Sequence, residues 1–472
     1  MANIPYSRTV IVPTDDNVVR NQLRSLNEPM CVFAEGPAER RERLASLLSK
    51  LPPEERAKLQ SSSEIKGLPD HSGDEIFYYE GSEALKEARY TIANFSIQQA
   101  NCRLDLARIK QLESISTRLI PQQDLIERIR HIEDLGSYID DGTSTTELKK
   151  MTSCSFDPQA KYLCTSMRSG RCKIWTMPDM DTHLGLSGHK VQANFITFSP
   201  KSGIDLSPNV ANLASCAVDG SIYLWNLINS SPLCCLSTEQ KWQVTRVRYH
   251  PCGRYLSSCC SDKSWRLWDL PTESEILHQE GHSDTVFDIG FHPDGSLAAS
   301  ASLDSYARLW DLRSGRSIQL LEGHSSGLRT VDFSPDGFHL ATGGLDDTVK
   351  VWNLRQRKLE YTIPAHVKAV TSVVFEKENG YYLASASFDG TVKFWSCKTW
   401  APIKSIDAFD DPVMKIDITQ SSKYMASCYG KFVKLWTTIN EDECALDLQQ
   451  HIIDETTTKT TLLKNEPNHN HD

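Results

Sequence analysis

Serine, histidine and aspartate recur together along this 472-residue chain, and in combination they are the makings of a nucleophilic triad. The sets are His189, Ser215 and Asp219; His282, Ser300 and Asp304; His324, Thr342 and Asp346; His366, Ser385 and Asp389; and Ser258 with Asp262, which has no histidine upstream. Each aspartate stands four residues after its hydroxyl residue and six before a tryptophan, namely Trp225, Trp268, Trp310, Trp352 and Trp395. An active site occurs once in a fold, whereas a group repeated at fixed spacing is a brace. The expected chemistry is therefore hydrogen bonding, with an inter-strand histidine tying a turn aspartate to a strand hydroxyl, since buried polar groups are tolerable only when paired. No phosphate-cradling Gly-Lys-Ser/Thr loop, HExxH or GxSxG is present, and His131-x-Glu133 lacks the Pro-Cys-x-x-Cys partner of a zinc deaminase. None of the fourteen cysteines forms a Cys-x-x-Cys pair, so they read as small buried hydrophobes in a reducing compartment, with no metal and no cofactor expected.

The elements that position these groups follow from the tryptophans. All ten lie at or after Trp175, and Trp175, Trp225, Trp268, Trp310, Trp352, Trp395 and Trp436 each end a short β-branched or basic run. Their spacings are 50, 43, 42, 42, 43 and 41 residues. A period of 40–45 residues is the mark of a WD40-type propeller with four strands per blade. The fold expected is mainly β, a seven-bladed WD40 β-propeller preceded by an α-helical N-terminal region. The long first spacing reflects a polar loop, residues 201–212, inserted in blade two. Ser169 and Gly430 stand where blades one and seven should carry the aspartate. Blade three lacks the histidine but has Trp242 nearby, and blade seven has Phe409-Asp410 in place of Gly-His. Loops that lose the brace are the better candidates for a partner surface, and Trp242 is a hot-spot candidate there, with packing between blades as the alternative. Residues 443–448 or 135–140 could supply the outer strand of blade seven, and the second segment is favoured because it would lock the first blade to the last.

Residues 1–12 and 449–472 read as disordered, 13–51 as a helical motif, 52–76 as a linker, 77–135 as helical and partner-binding, and 136–448 as the propeller. In the first helical region Val19, Leu23 and Leu26 form one apolar stripe, Pro29 ends it, and Leu44, Leu47, Leu48 and Leu51 form a second. Helices this short must dock on something. Leu23, Leu26, Pro29 and Phe33, together with Tyr78, Tyr79, Leu85, Ile92 and Phe95 further on, are candidates for partner binding. Arg40, Arg41 and Arg43 are candidates for RNA phosphate, with a solvated face paired to Glu39 and Glu42 as the favoured alternative. The net charge of −10 and pI near 5.8 exclude a protein coated in basic residues. No stretch approaches 18 apolar residues, so no membrane-spanning helix is expected, and no secretory leader is seen.

The opening PTDDNVVRNQLRSLNEPMCVFAEGPAERRERL resembles the splicing-factor motif of pre-mRNA-processing factors, and DKSWRLWDL, EILHQEGHSDTVFDIGFHPDGSLA and VWNLRQRKLEYTIPAH resemble the pre-mRNA-processing factor 4 family. The similarity runs over roughly residues 10–437. It implies a non-enzymatic nuclear scaffold of the U4/U6 small nuclear ribonucleoprotein and the U4/U6·U5 tri-snRNP. Its implied partners are pre-mRNA-processing factor 3, a spliceosomal cyclophilin bound in the area of residues 78–108, U4/U6 snRNA and other tri-snRNP proteins, with no membrane. The chain departs from the family in its short N-terminus, short acidic linker and longer C-terminal tail, which puts a charged RNA-binding arm in doubt. A WD-repeat substrate receptor of a ubiquitin ligase is the alternative, but it should carry a ligase-docking element where this chain has LRSLNEP.

Overall fold

The computed structural model describes residues 16–26, 37–50, 82–116, 129–130, 133–139, 150–236, 242–407 and 411–438. Two units are present, one reaching Glu80 and the other starting at Gly81. In the first, helix α1 (Asp16–Ser25) packs on helix α2 (Pro37–Lys50) through Val19, Leu23, Leu44 and Leu48, flanked by Leu26 and Leu47. Each helix is too short to persist alone, so this shared apolar seam is what keeps both folded.

In the second unit the described strands form seven four-stranded antiparallel sheets. Six are simple meanders. The inner strand of each is buried and the outer strand exposed, as in β14 (Val286–Phe291) against β17 (Arg316–Leu321). The seventh sheet is composite. Strand β1 (Glu133–Ile139) pairs antiparallel with β28 (Phe432–Thr437), from Glu133 opposite Thr437 to Ile139 opposite Phe432. The N-terminal side therefore supplies the outer strand of blade seven, which is the segment expected to lock the first blade to the last. Residues 443–448 lie outside the described residues.

Every inner strand bulges after its first residue. The extra residues are Thr152, Asn194, Thr245, Phe287, Arg329, Thr371 and Met414. A bulge re-aims one side chain, and here four of the seven reach the next blade. Thr152, Asn194, Thr245 and Thr371 donate to the carbonyls of Ala193, Val244, Val286 and Val413 at 2.7, 2.7, 2.9 and 2.7 Å. Further along the axis, acids on the inner strands accept amides of the following blade: Asp288 from Val331, Asp332 from Phe375, and Asp417 of blade seven from Phe156 of blade one.

Within the segment read as helical and partner-binding, helix α3 (Glu83–Ser116) belongs to the compact unit that also holds the propeller. Its Ala88 and Ile92 are buried in a cluster with Tyr255, Trp265 and Ile276, because only there can this stripe leave water. Burying one isoleucine contributes about 1.5–3 kcal/mol.

Proline placed at Ser137 and, separately, at Tyr138 should expose the ring closure. Neighbouring residues of a strand alternate in their ladder bonds, so one of the two variants removes an amide that pairs with β28. That variant should melt lower by on the order of 1–3 kcal/mol. Two unchanged thermal melts would mean that β1 does not hold the ring.

Candidate functional site

The repeated polar groups meet as chains of hydrogen bonds. In blade four the Trp310 indole N–H donates to Ser300 Oγ at 2.8 Å, Ser300 Oγ lies 2.7 Å from His282 Nε2, and His282 Nδ1 lies 2.8 Å from Asp304. A carboxylate can only accept, so the imidazole proton sits on Nδ1 and the serine hydroxyl donates to Nε2. Blade five repeats the chain through Trp352, Thr342, His324 and Asp346, and blade six through Trp395, Ser385, His366 and Asp389. In blade four close packing enforces a glycine before the histidine. A Cβ on Gly281 (φ 147°) would stand 2.9 Å from the Trp310 ring.

Two blades differ from the expected set. In blade two His189 Nε2 meets Ser215 at 2.7 Å, but its Nδ1 meets Ser221 Oγ, and Ser221 in turn donates to Asp219 at 2.6 Å. The aspartate is one hydroxyl too far away and acts through a relay. In blade three Arg266 takes the place of the histidine, donating to Asp262 at 2.7 Å while Trp268 donates to Ser258. Sequence reasoning missed Thr165 and Ser427, which accept from Trp175 and Trp436 at 3.0 Å each. Thr165 stands ten residues before its tryptophan, the spacing of the other hydroxyls, and Ser427 stands nine before.

The electrostatics are those of a brace. Burial alone would raise the Asp304 carboxyl. The hydrogen bond and charge of His282 and the amides of Tyr306 and Ser283 outweigh it and hold the group at about 2. Burial pushes the imidazoles of His189 and His250 down to about 4. These two imidazoles meet fixed partners, His189 the hydroxyls of Ser215 and Ser221 and His250 the Gly295 carbonyl.

The partner-binding candidates separate by position. Leu23 is fully buried and Leu26 partly so between α1 and α2, where they face Leu44 and Leu48. They hold the pair together. Leu85, Ile92 and Phe95 are likewise committed within the chain. Ile92 is buried, Leu85 packs on the same cluster, and the Phe95 ring lies edge-on to His250 at 5.9 Å. Pro29, Phe33, Tyr78 and Tyr79 lie outside the described residues, as does Phe409-Asp410. Trp242 keeps 48% of its surface exposed beside the turn of Gly220. Of the RNA candidates, Arg40 is buried and so does not face solvent, while Arg41 and Arg43 are half-buried.

Helix α3 is fastened by a residue that sequence reasoning did not single out. Arg103 makes a two-pronged bond to Asp294 at 2.8 and 2.7 Å and a third to the Asp336 carbonyl at 2.6 Å. Both acids sit in Pro-Asp-Gly turns that end inner strands, so α3 lies at the end of the ring opposite the histidine braces. Its outward side leaves Tyr90, Ile97, Leu106 and Ile109 exposed. No group of acids, histidines and cysteines that could hold a metal occurs among the described residues. No described helix is long and apolar enough to cross a membrane.

Comparison with known proteins follows the same division. The WD domain, G-beta repeat model matches residues 143–176, 182–226, 230–269, 274–311, 315–353 and 357–396, leaving the brace-less blade seven unmatched. The model described as pre-mRNA processing factor 4 (PRP4) like matches residues 19–47, which hold most of α1 and most of α2. Bos taurus U4/U6 small nuclear ribonucleoprotein Prp4 is 42% identical over 45% of this chain and 39% of its own length. An Arabidopsis thaliana PRP4-like protein is 37% identical over 45% and 37%. The Saccharomyces cerevisiae PRP4 is 30% identical over 60% of each chain. The chain thus aligns with about two fifths of the length of the mammalian and plant relatives.

Two measurements check the brace. Asp304→Ala and His282→Ala should each cost about 1–3 kcal/mol by stranding a buried partner, and unchanged melts would show that the chain of bonds carries no stability. Acid should act in two stages. His189 and His250 have folded pKa values below the ordinary 6.5, so the stability they contribute is complete above 6.5 and is lost as pH falls towards 4. Asp304 contributes stability that is complete above about 4 and is lost towards 2. A melting midpoint flat from pH 6.5 to 4 would contradict the neutral imidazoles.

Proposed function

Because the chain is a WD-repeat protein of the pre-mRNA processing factor 4 (PRP4)-like family, we propose that it is a non-enzymatic scaffold of the U4/U6 snRNP and of the U4/U6·U5 tri-snRNP, acting in the nucleus in spliceosome assembly. The observation that carries this reading is one chain holding both the factor-like motif, folded as the α1–α2 pair, and the braced ring. Propellers alone serve many unrelated functions. The braces support a rigid platform in place of catalysis, because their histidines, hydroxyls and acids are consumed by one another. Several modest surfaces on one rigid body suit an assembly that forms and is later dismantled.

The partners in this reading are pre-mRNA-processing factor 3, a spliceosomal cyclophilin and the U4/U6 snRNA. The family resemblance sets the cyclophilin at residues 78–108. With Leu85, Ile92 and Phe95 committed to the propeller, that contact falls to the outward side of α3, around Tyr90 and Ile97. An acidic chain whose Arg40 is buried relies on its companions for much of the phosphate contact.

Deleting residues 13–51 from the otherwise full chain tests the proposal. In nuclear extract the intact protein should co-purify with U4 and U6 RNA, and the deletion variant should lose most of it. Full yield from the variant would remove the α1–α2 pair from complex entry. Recovery of ubiquitin-ligase subunits without snRNA would favour the substrate-receptor reading.

A further inference from the structure

Three of the seven bulged residues do not join the girdle. Where blades one, two, three and six reach across to the next carbonyl, blades four, five and seven carry Phe287, Arg329 and Met414. A phenylalanine and a methionine have no proton to give, and among the described residues Arg329 makes neither a hydrogen bond nor an ion pair, its Nε being buried without a partner. Local rules are broken most often where a chain needs something other than stability. Arg329 is nevertheless held in place. Its guanidinium carbon lies 4.6 Å from the Phe287 ring centre and 4.9 Å from that of Phe388, one ring from the blade before and one from the blade after.

The guanidinium lines a cavity of about 310 Å³ beside the beginnings of the inner strands, at the end of the ring where the braces lie and opposite α3. Lys150 and Arg168 line it as well, and Asp411 is the one acid on its wall. Neither Lys150 nor Arg168 is ion-paired among the described residues. A local excess of positive charge therefore stands in a chain whose net charge is −10. Burial and the neighbouring Arg246 push Arg329 down to about 10, the direction expected of a cation that lacks an anion. It remains charged at neutral pH.

We propose that this cavity binds one anionic side chain, a phosphoserine or a glutamate, presented by an extended segment of a partner protein. A planar fork, fixed between two rings with its donors unspent, matches a carboxylate or phosphoryl group. The volume suits a single side chain. Nucleic acid fits less well. Arg329 covers a face of both phenylalanines, so neither ring is free to stack on a base, and three cations in one pocket do not make a groove that follows a phosphate backbone. The inference stands apart from the spliceosomal reading and survives if that reading fails.

The test uses the full chain and fluorescein-labelled nine-residue peptide pools with randomised flanks that differ only at the centre, which is phosphoserine, glutamate or serine. One anionic pool should bind at least tenfold more tightly than the serine pool. Phosphoserine well ahead of glutamate assigns a phosphorylated partner, and equal binding assigns an acidic one. Arg329→Ala should abolish the preference without changing the melt, and Asp411→Asn should sharpen it severalfold by removing the opposing charge. If Arg329→Ala does not fold, the double variant Lys150→Ala/Arg168→Ala, which changes more open positions, should abolish the preference instead. The proposal is overturned if all three pools bind alike, if the preference persists in a folded variant, or if only a ten-nucleotide uridine RNA binds in an Arg329-dependent way.

Discussion

A ring of radial sheets stands only while its last blade is joined to its first, and every other feature of this propeller presupposes that joint. Strand β1 supplies it by completing a sheet whose other three strands come from the far end of the chain. The closure is reinforced nearer the axis, where Asp417 of blade seven accepts the amide of Phe156 in blade one. The order of the chain follows from this. Helix α3 precedes β1 and packs on the same compact unit, so the N-terminal approach to the ring is part of the ring's architecture and not a detachable arm.

Much of this was legible from the residues. The tryptophan spacing fixed the number of blades, since each indole ends the third strand of its sheet and donates to a hydroxyl on the second. Position, however, does not determine the hydrogen-bond partner. Asp219 has the spacing of Asp304, yet a serine at 221 intercepts His189. Asp262 pairs with an arginine because the longer side chain of Arg266 reaches the turn from within the same sheet. The stripe of Leu85, Ile92 and Phe95 was visible as an apolar face, but periodicity says only that a face must be covered, not by what. Its cover turned out to be the chain's own third blade. The bond from Arg103 to Asp294 spans 191 residues, and no local pattern encodes it.

The two ends of the ring are built for different work. At one end the inner strands finish in turns whose acids are engaged, with Asp294 taken by Arg103 and Asp336 by His339. That end carries α3 and presents the apolar residues of its outer side. At the other end the braces stiffen turns that would otherwise be ordinary mobile loops, and a stiff turn can hold a binding group at low entropic cost. The loss of the brace in blades one and seven falls next to the cavity of Arg329, because Arg168 and Gly430 come from those same turns.

Electrostatics and packing then converge on one point. Along the axis Arg246 and Arg248 are answered by Asp288, and nearer the surface Lys377 by Asp417. Arg329 has no such answer, although it sits one residue before Thr330 on a strand where neighbouring positions are paired. A chain carrying ten more negative than positive charges had acids available to place beside it. Two phenylalanines were placed there instead. Aromatic faces stabilise a guanidinium without consuming its N–H donors, whereas a carboxylate would have consumed them. The choice of aromatic neighbours therefore keeps the hydrogen-bonding capacity of Arg329 free at the end of the ring opposite α3.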